Sequence, residues 1–189
     1  MNQRATIVRS PATYEDVLDA PPNLVAELIG SALYLSPRPA PPHVLAGSSL
    51  GFELFGPFGR GRGGPGGWWI LDEPELHLGD DVLVPDLAGW RRERMPQLPE
   101  AAAFTIVPDW VCEILSPTTR KLDRTAKRDR YRSAGAGHLW LVDGEERTLE
   151  AFVLRDGAWV LEAALKDEDA VRVRPFDAIV FPLSALWPD

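Results

Sequence analysis

Two acids stand in apolar surroundings, Asp86 in VLVPDLAGW and Glu113 in PDWVCEIL, and a Lys/Arg-dense stretch from Arg120 to Arg132 follows them. A carboxylate on an apolar strand face is unfavourable unless it is ion-paired, hydrogen-bonded or bound to a metal. By two-residue alternation Asp86 shares a face with Val82, Val84, Ala88 and Trp90, and Glu113 poses the same problem on its own run. Either acid alone is accounted for by an arginine partner or a strand end. Together, with the basic stretch behind them, they point to a hard-cation site whose oxygen ligands suit Mg²⁺ or Mn²⁺. Such a cation polarises a phosphate and lowers the pKa of bound water, so the chemistry expected is phosphodiester hydrolysis. Lys127 is expected to orient that water or to stabilise the developing negative charge. Arg120, Arg124 and Arg128 are expected to hold flanking phosphates, the competing reading being a solvated helix face. Tyr131, one turn after Lys127, is expected to pack its ring and present its hydroxyl.

Bulk properties narrow the field. The chain has 189 residues, 45% hydrophobic and 25% charged, which suits one globular domain over 1–189 with a loose lead-in over 1–12. No apolar N-terminal run reads as a signal peptide and no segment approaches a membrane span, so no membrane partner and a cytoplasmic location are expected. The single cysteine, Cys112, excludes an internal disulfide framework and a multi-cysteine zinc site, and WVCEIL gives it a buried packing role. His43, His77 and His138 show no paired ligand spacing, and no G-x-S-x-G is present, so zinc and serine hydrolase readings fall away. The net charge of −8 argues against coating nucleic acid through the overall field. It is uneven, however, because Arg120 to Arg132 carries seven Lys or Arg against Asp123 and Asp129.

The elements that must position these residues read as follows. Thr13 precedes a short helix that stops by Pro21-Pro22. LVAELI and ALYLS flank Gly30-Ser31 as a β-hairpin, and His43 to Phe55 has the leucine-type spacing of a helix. The glycine-rich segment from Gly56 to Gly67 lacks the Gly-Lys-Ser/Thr ending of a phosphate loop and reads as a surface loop. Trp68 to Leu71 with Pro74 to Leu78, Val82 to Trp90 and Pro108 to Leu115 read as strands. Ser116-Pro117 turns the chain toward a helix around Asp123 to Ala134, on which Arg120, Arg124, Lys127 and Tyr131 share a face. His138 to Asp143 is a further strand, and Asp156-Gly157 joins Thr148–Leu154 to Ala158–Leu165 as a second hairpin.

The order PDL, PDWVCEILSPTT, DRTAKRDRY and then GAGHLWLVD resembles the Uma2 family, also called DUF820, whose members are similar to PD-(D/E)xK nucleases of the restriction-endonuclease-like fold. TYEDVL, ELIGSALYLSPRP and His43 resemble that family's N-terminal half, so the likeness runs from about Thr13 to Leu183. It implies an α/β (α+β) fold, with a mixed sheet flanked by helices and hairpins near both ends, and metal-dependent cleavage of DNA. On that resemblance Asp86 is the motif aspartate and Glu113 the motif acid. Leu115 occupies the position of the motif lysine, whose place is taken by Lys127 from the following helix. Glu27 matches the family's N-terminal acid and is an additional metal or water ligand, and His43 matches a recurrent histidine, with a structural role at a helix start as its alternative. The family's Asp-Gly-Glu-like turn is replaced here by Gly30-Ser31-Ala32.

The expectation is therefore a Mg²⁺- or Mn²⁺-dependent endonuclease acting on DNA, with a homodimer as one way to cut both strands. The alternative is a nuclease-fold protein that has lost catalysis and binds nucleic acid or a protein partner.

Overall fold

The computed structural model describes residues 6–188. Two sheets and one helical crossover position the site. The first sheet contains β1 (Thr6–Arg9), β2 (Leu24–Ile29), β3 (Ala32–Pro37), β5 (Leu76–Leu78) and β6 (Asp81–Leu83), in the order β1-β3-β2-β6-β5. The second contains β4 (Trp68–Asp72), β7 (Leu87–Arg91), β8 (Trp110–Leu115), β9 (His138–Asp143), β10 (Thr148–Arg155) and β11 (Ala158–Lys166), in the order β11-β10-β9-β8-β7-β4. A small pair, β12 (Ala170–Val171) with β13 (Phe181–Pro182), lies in the C-terminal tail.

Local chemistry explains the hairpins. Gly30 and Ser31 both have positive φ, 59° and 61°, as a two-residue turn that matches strand twist requires, and they set Ile29 opposite Ala32. Asp156 and Gly157 do the same between β10 and β11. Among the named strands, β8 and β9 are the one parallel pair, which demands a crossover. That crossover is helical: α3 (Arg120–Leu122), a π turn (Asp123–Lys127) and α4 (Arg128–Ala134), closed by Gly135 at φ 88°.

The second sheet is covered on both faces. Alternate residues of β8 divide between them. Trp110, Cys112 and Ile114 enter a core with Leu50 and Leu54 of α2 (Pro41–Leu54), the helix that follows the short α1 (Tyr14–Leu18), and with tail residues such as Phe176 and Leu186. Val111 and Leu115 enter a second core with Leu76 and Leu83 of the first sheet and with Leu122 and Tyr131 of the crossover. Glu113 shares the face of Val111 and Leu115 and is therefore aimed at the crossover. Cys112 is a buried packing residue, as expected, and no helix among the described residues is long and apolar enough to cross a membrane.

Four expectations are corrected. The lead-in over 1–12 is ordered from Thr6, because β1 pairs with β3, Thr6 opposite Leu35; residues 1–5 lie outside the described residues. Trp68–Asp72 and Leu76–Leu78 are strands of different sheets, separated by Glu73 at φ 44°. The run from Val82 to Trp90 is likewise two strands in two sheets: Pro85 brings no amide hydrogen to a ladder, and Val84-Pro85-Asp86 bridges the sheets. Asp86 thus lies at a strand break, not on the face of Val82 and Ala88. Finally, the π turn adds a residue to the helical register, so Arg120 and Arg124 do not share the face of Lys127 and Tyr131.

Candidate active site

Asp86 immediately precedes Leu87, which pairs with Cys112, and this register places Asp86 beside Glu113 and Ile114. Its two oxygens have different partners. Oδ2 accepts from the Ile114 amide at 2.6 Å, and Oδ1 lies 2.6 Å from Nε2 of His43, in the first turn of α2. The Nδ1 of His43 is buried and has no hydrogen-bond partner.

Glu113 is met from the crossover. Lys127 Nζ lies 2.9 Å from its Oε1 and donates to its Oε2 at 3.0 Å, while the Tyr131 hydroxyl donates to Oε1 at 2.5 Å. Lys127 also lies 3.0 Å from Oε1 of Glu27 on β2 and donates to the Val84 carbonyl at 3.1 Å. The Val84 amide in turn donates to Glu27 Oε1 at 2.9 Å. Freed from any ladder by the break at Pro85, that residue ties β2 to the crossover through both of its backbone groups. The expected residues Glu27, His43, Asp86, Glu113, Lys127 and Tyr131 thus come together from four separate elements and the strand break. All but Tyr131 line a cavity of about 350 Å³.

Burial sets the electrostatics. Glu27, Glu113, Asp123 and Lys127 retain only 2–4% of their accessible surface. Burial pushes Glu113 above the usual carboxylate range even against the Lys127 ammonium beside it. For Lys127, burial opposes the charged form, but Glu113 and Glu27 outweigh it and hold the amine protonated well above its ordinary value. Burial, and next the negative charge of Glu113, raises the Tyr131 hydroxyl. His43 is lifted too, its desolvation being outweighed by its hydrogen bond to Asp86 and that carboxylate's charge.

Asp123 belongs to the same group, and the sequence reading missed it. It lies 3.9 Å from Lys127, lines the cavity and is pushed up to about 7, chiefly by burial. A signal was present: Asp123, Lys127 and Tyr131 recur every four residues, a stripe masked by the more numerous arginines.

The arginines lie elsewhere. Arg120 pairs with Asp143 and Glu145, Arg124 with Glu150, and Arg128 stacks over Phe152 at 4.4 Å. None of them lines the cavity. Arg124 and Arg128 instead border a shallow, open groove with Arg132 and Trp159.

The donor set fits a hard divalent cation by its chemistry. Six carboxylates line the cavity, those of Glu27, Asp86, Glu113 and Asp123 together with Glu73 and Glu145, against Lys127, Arg38 and the imidazole of His43, and burial is the main cause of the rise of Asp123. Among the described residues no group of three His, Cys, Asp or Glu side chains is placed to hold a metal ion. That is compatible with Mg²⁺, which takes one or two protein carboxylates and fills its octahedron with water and substrate phosphate. Asp86 and Glu113, side by side across β7 and β8, are the pair that could hold it.

The fold is mixed α+β, with site carboxylates at a strand break and on the adjoining central strand of a mixed sheet. The family model described as "Putative restriction endonuclease", Uma2, matches residues 11–184, and the chain belongs to that family. A similar solved structure is that of a "putative nuclease belonging to DUF820" from Anabaena variabilis, with a TM-score of 0.75 and 22% identity over 93% of this chain and 97% of that one. No curated protein matches the sequence.

Proposed function

We propose that this protein is a divalent-cation-dependent endonuclease that hydrolyses DNA phosphodiester bonds, with Mg²⁺ or Mn²⁺ as its cofactor. The observation that carries the reading is the meeting of Glu113 with Lys127 beside Asp86, on the floor of one cavity. Membership of the family described as "Putative restriction endonuclease" supports it.

In this reading Asp86 and Glu113 hold the cation, which when bound supplies positive charge against the scissile phosphate and acidifies coordinated water. His43 fixes the rotamer of Asp86. Tyr131 fixes that of Glu113 and, being buried, takes no further part. Lys127 stabilises the charge that builds on the phosphate oxygens, and Glu113 and Glu27 keep its ammonium protonated. Arg124 and Arg128 follow the strand outside the cavity. Arg120, tied to Asp143 and Glu145, holds the turn after β9 instead of a phosphate.

The second reading, a nuclease fold that only binds, draws on the engagement of both Glu113 oxygens by Lys127 and Tyr131. Incubation of supercoiled plasmid with the protein in Mg²⁺, Mn²⁺ or EDTA separates the two. Nicking or linearisation that needs the cation and disappears in Glu113→Gln supports the enzyme. Binding without cleavage under every condition supports the alternative.

A further inference from the structure

The depth and walls of the cavity say more about the substrate, and we propose that it admits a single unpaired nucleotide, whose base stacks on Trp187, in preference to an intact duplex. The inference rests on the nuclease reading above and specifies its substrate.

Depth is the first reason. The side chains of Glu113 and Lys127 are only 2% and 4% exposed, so a phosphodiester can meet them only by entering the cavity. The space of about 350 Å³ is that of a small-molecule pocket. A duplex, whose major groove alone is about 12 Å wide, does not fit such a space without unstacking a nucleotide.

Wall chemistry is the second. Trp187 follows the C-terminal turn (Leu183–Leu186), packs against the core beneath the second sheet and lines the cavity. Pro37 and Pro39 add apolar wall, so the cavity combines a carboxylate floor with a surface suited to a base.

Charge is the third. Arg38 also lines the cavity, with a side chain 56% exposed, a long 3.8 Å pairing to Glu73 and a long 3.4 Å hydrogen bond donated to the Pro22 carbonyl. An exposed pair of that kind is weak, which leaves the guanidinium available to the phosphate of the next nucleotide.

The test uses the full chain with three fluorescein-labelled oligonucleotides: a single strand, the matching duplex, and that duplex with a one-nucleotide bulge. Anisotropy is measured in Ca²⁺ to read binding, and cleavage in Mg²⁺. Single strand and bulge should be bound and cut at least about tenfold better than duplex. Trp187→Ala should weaken their binding roughly 5- to 150-fold, the range set by stacking one base on an aromatic ring, and leave duplex binding unchanged. In wild type, an abasic position at the bulge should reproduce that loss, which decides the matter even if Trp187→Ala misfolds. Duplex bound and cut as well as the single strand, or an abasic position without effect, overturns the inference and leaves the nuclease reading intact. Selective binding of the single strand with no cleavage in any cation overturns the nuclease reading and leaves the pocket assignment standing.

Discussion

Lys127 reaches the Glu113 carboxylate, 2.9 Å away, from fourteen residues further along the chain. A lysine two residues after the acid, on the same strand, would share its face. Here that position is Leu115, buried in the core between the sheets. The cation arrives instead on the crossover that the parallel β8–β9 pairing makes necessary, so the site's charge balance depends on how the crossover docks.

Lys127→Met keeps most of the stem's volume and removes the charge. Glu113 and Glu27 then face each other without a counter-ion, a loss of about 3–5 kcal/mol for breaking a buried ion pair. Urea denaturation is expected to show this, and plasmid cleavage should vanish. Added Mn²⁺ should stabilise the variant more than wild type, because the freed carboxylates bind it; an equal gain would place the cation away from Glu113.

Tyr131→Phe deletes a single hydroxyl, the donor to Glu113 Oε1. The ring remains, so the expected change is the value of one buried hydrogen bond, about 1–3 kcal/mol. A loss below about 0.5 kcal/mol in urea would mean that Lys127, already 2.9 Å from the same oxygen, satisfies it alone.

Calorimetric titration of Mn²⁺ tests Asp86 and its support separately. Asp86→Ala is expected to abolish binding in a folded protein. His43→Ala, which removes only the group that orients Asp86, should weaken binding roughly 10- to 100-fold. Unaltered affinity in both variants would move the cation elsewhere.

The pH dependence of stability reports on Asp123. Folded, it keeps its proton up to about 7; unfolded, it releases it near 3.8. Between those values the folded state binds more protons, so this group's contribution to stability is full at low pH and is lost as pH rises through the window. Asp123→Asn, neutral throughout, removes this group's share of the slope and leaves that of Glu113. Thermal melts in EDTA at about pH 5 and about pH 8 should show wild type losing more stability than the variant over that interval; equal losses would mean that Asp123 is already ionised in the fold.

Much of this was legible in the residues. Gly30-Ser31 and Asp156-Gly157 announced both hairpins, because few pairs accept two positive φ values in succession. The all-apolar stretch from Trp110 to Leu115 announced a central strand, and the acid inside it announced a partner. What alternation misjudged was Val82 to Trp90: period-two patterning continues across Pro85 although the chain changes sheets there, since both halves are buried. The crossover misled for a related reason. An ideal helical wheel puts Arg124 beside Lys127 and Tyr131, and nothing in DRTAK marks a π turn, which tertiary packing alone selects. Asp123 was read as one more charge in a solvated run; only the structure shows that Leu122 and Tyr131 draw its face inward.

The bridge at Val84 has a wider meaning for the life of the chain. Glu27 belongs to one sheet, Glu113 to the other, and Lys127 to the crossover, with the Val84 peptide clasped between Glu27 and Lys127. The second sheet and its crossover by themselves bring Asp86, Lys127 and Tyr131 to Glu113. Docking of the first sheet adds Glu27, so the second carboxylate on the Lys127 ammonium is a product of the joining of the two sheets.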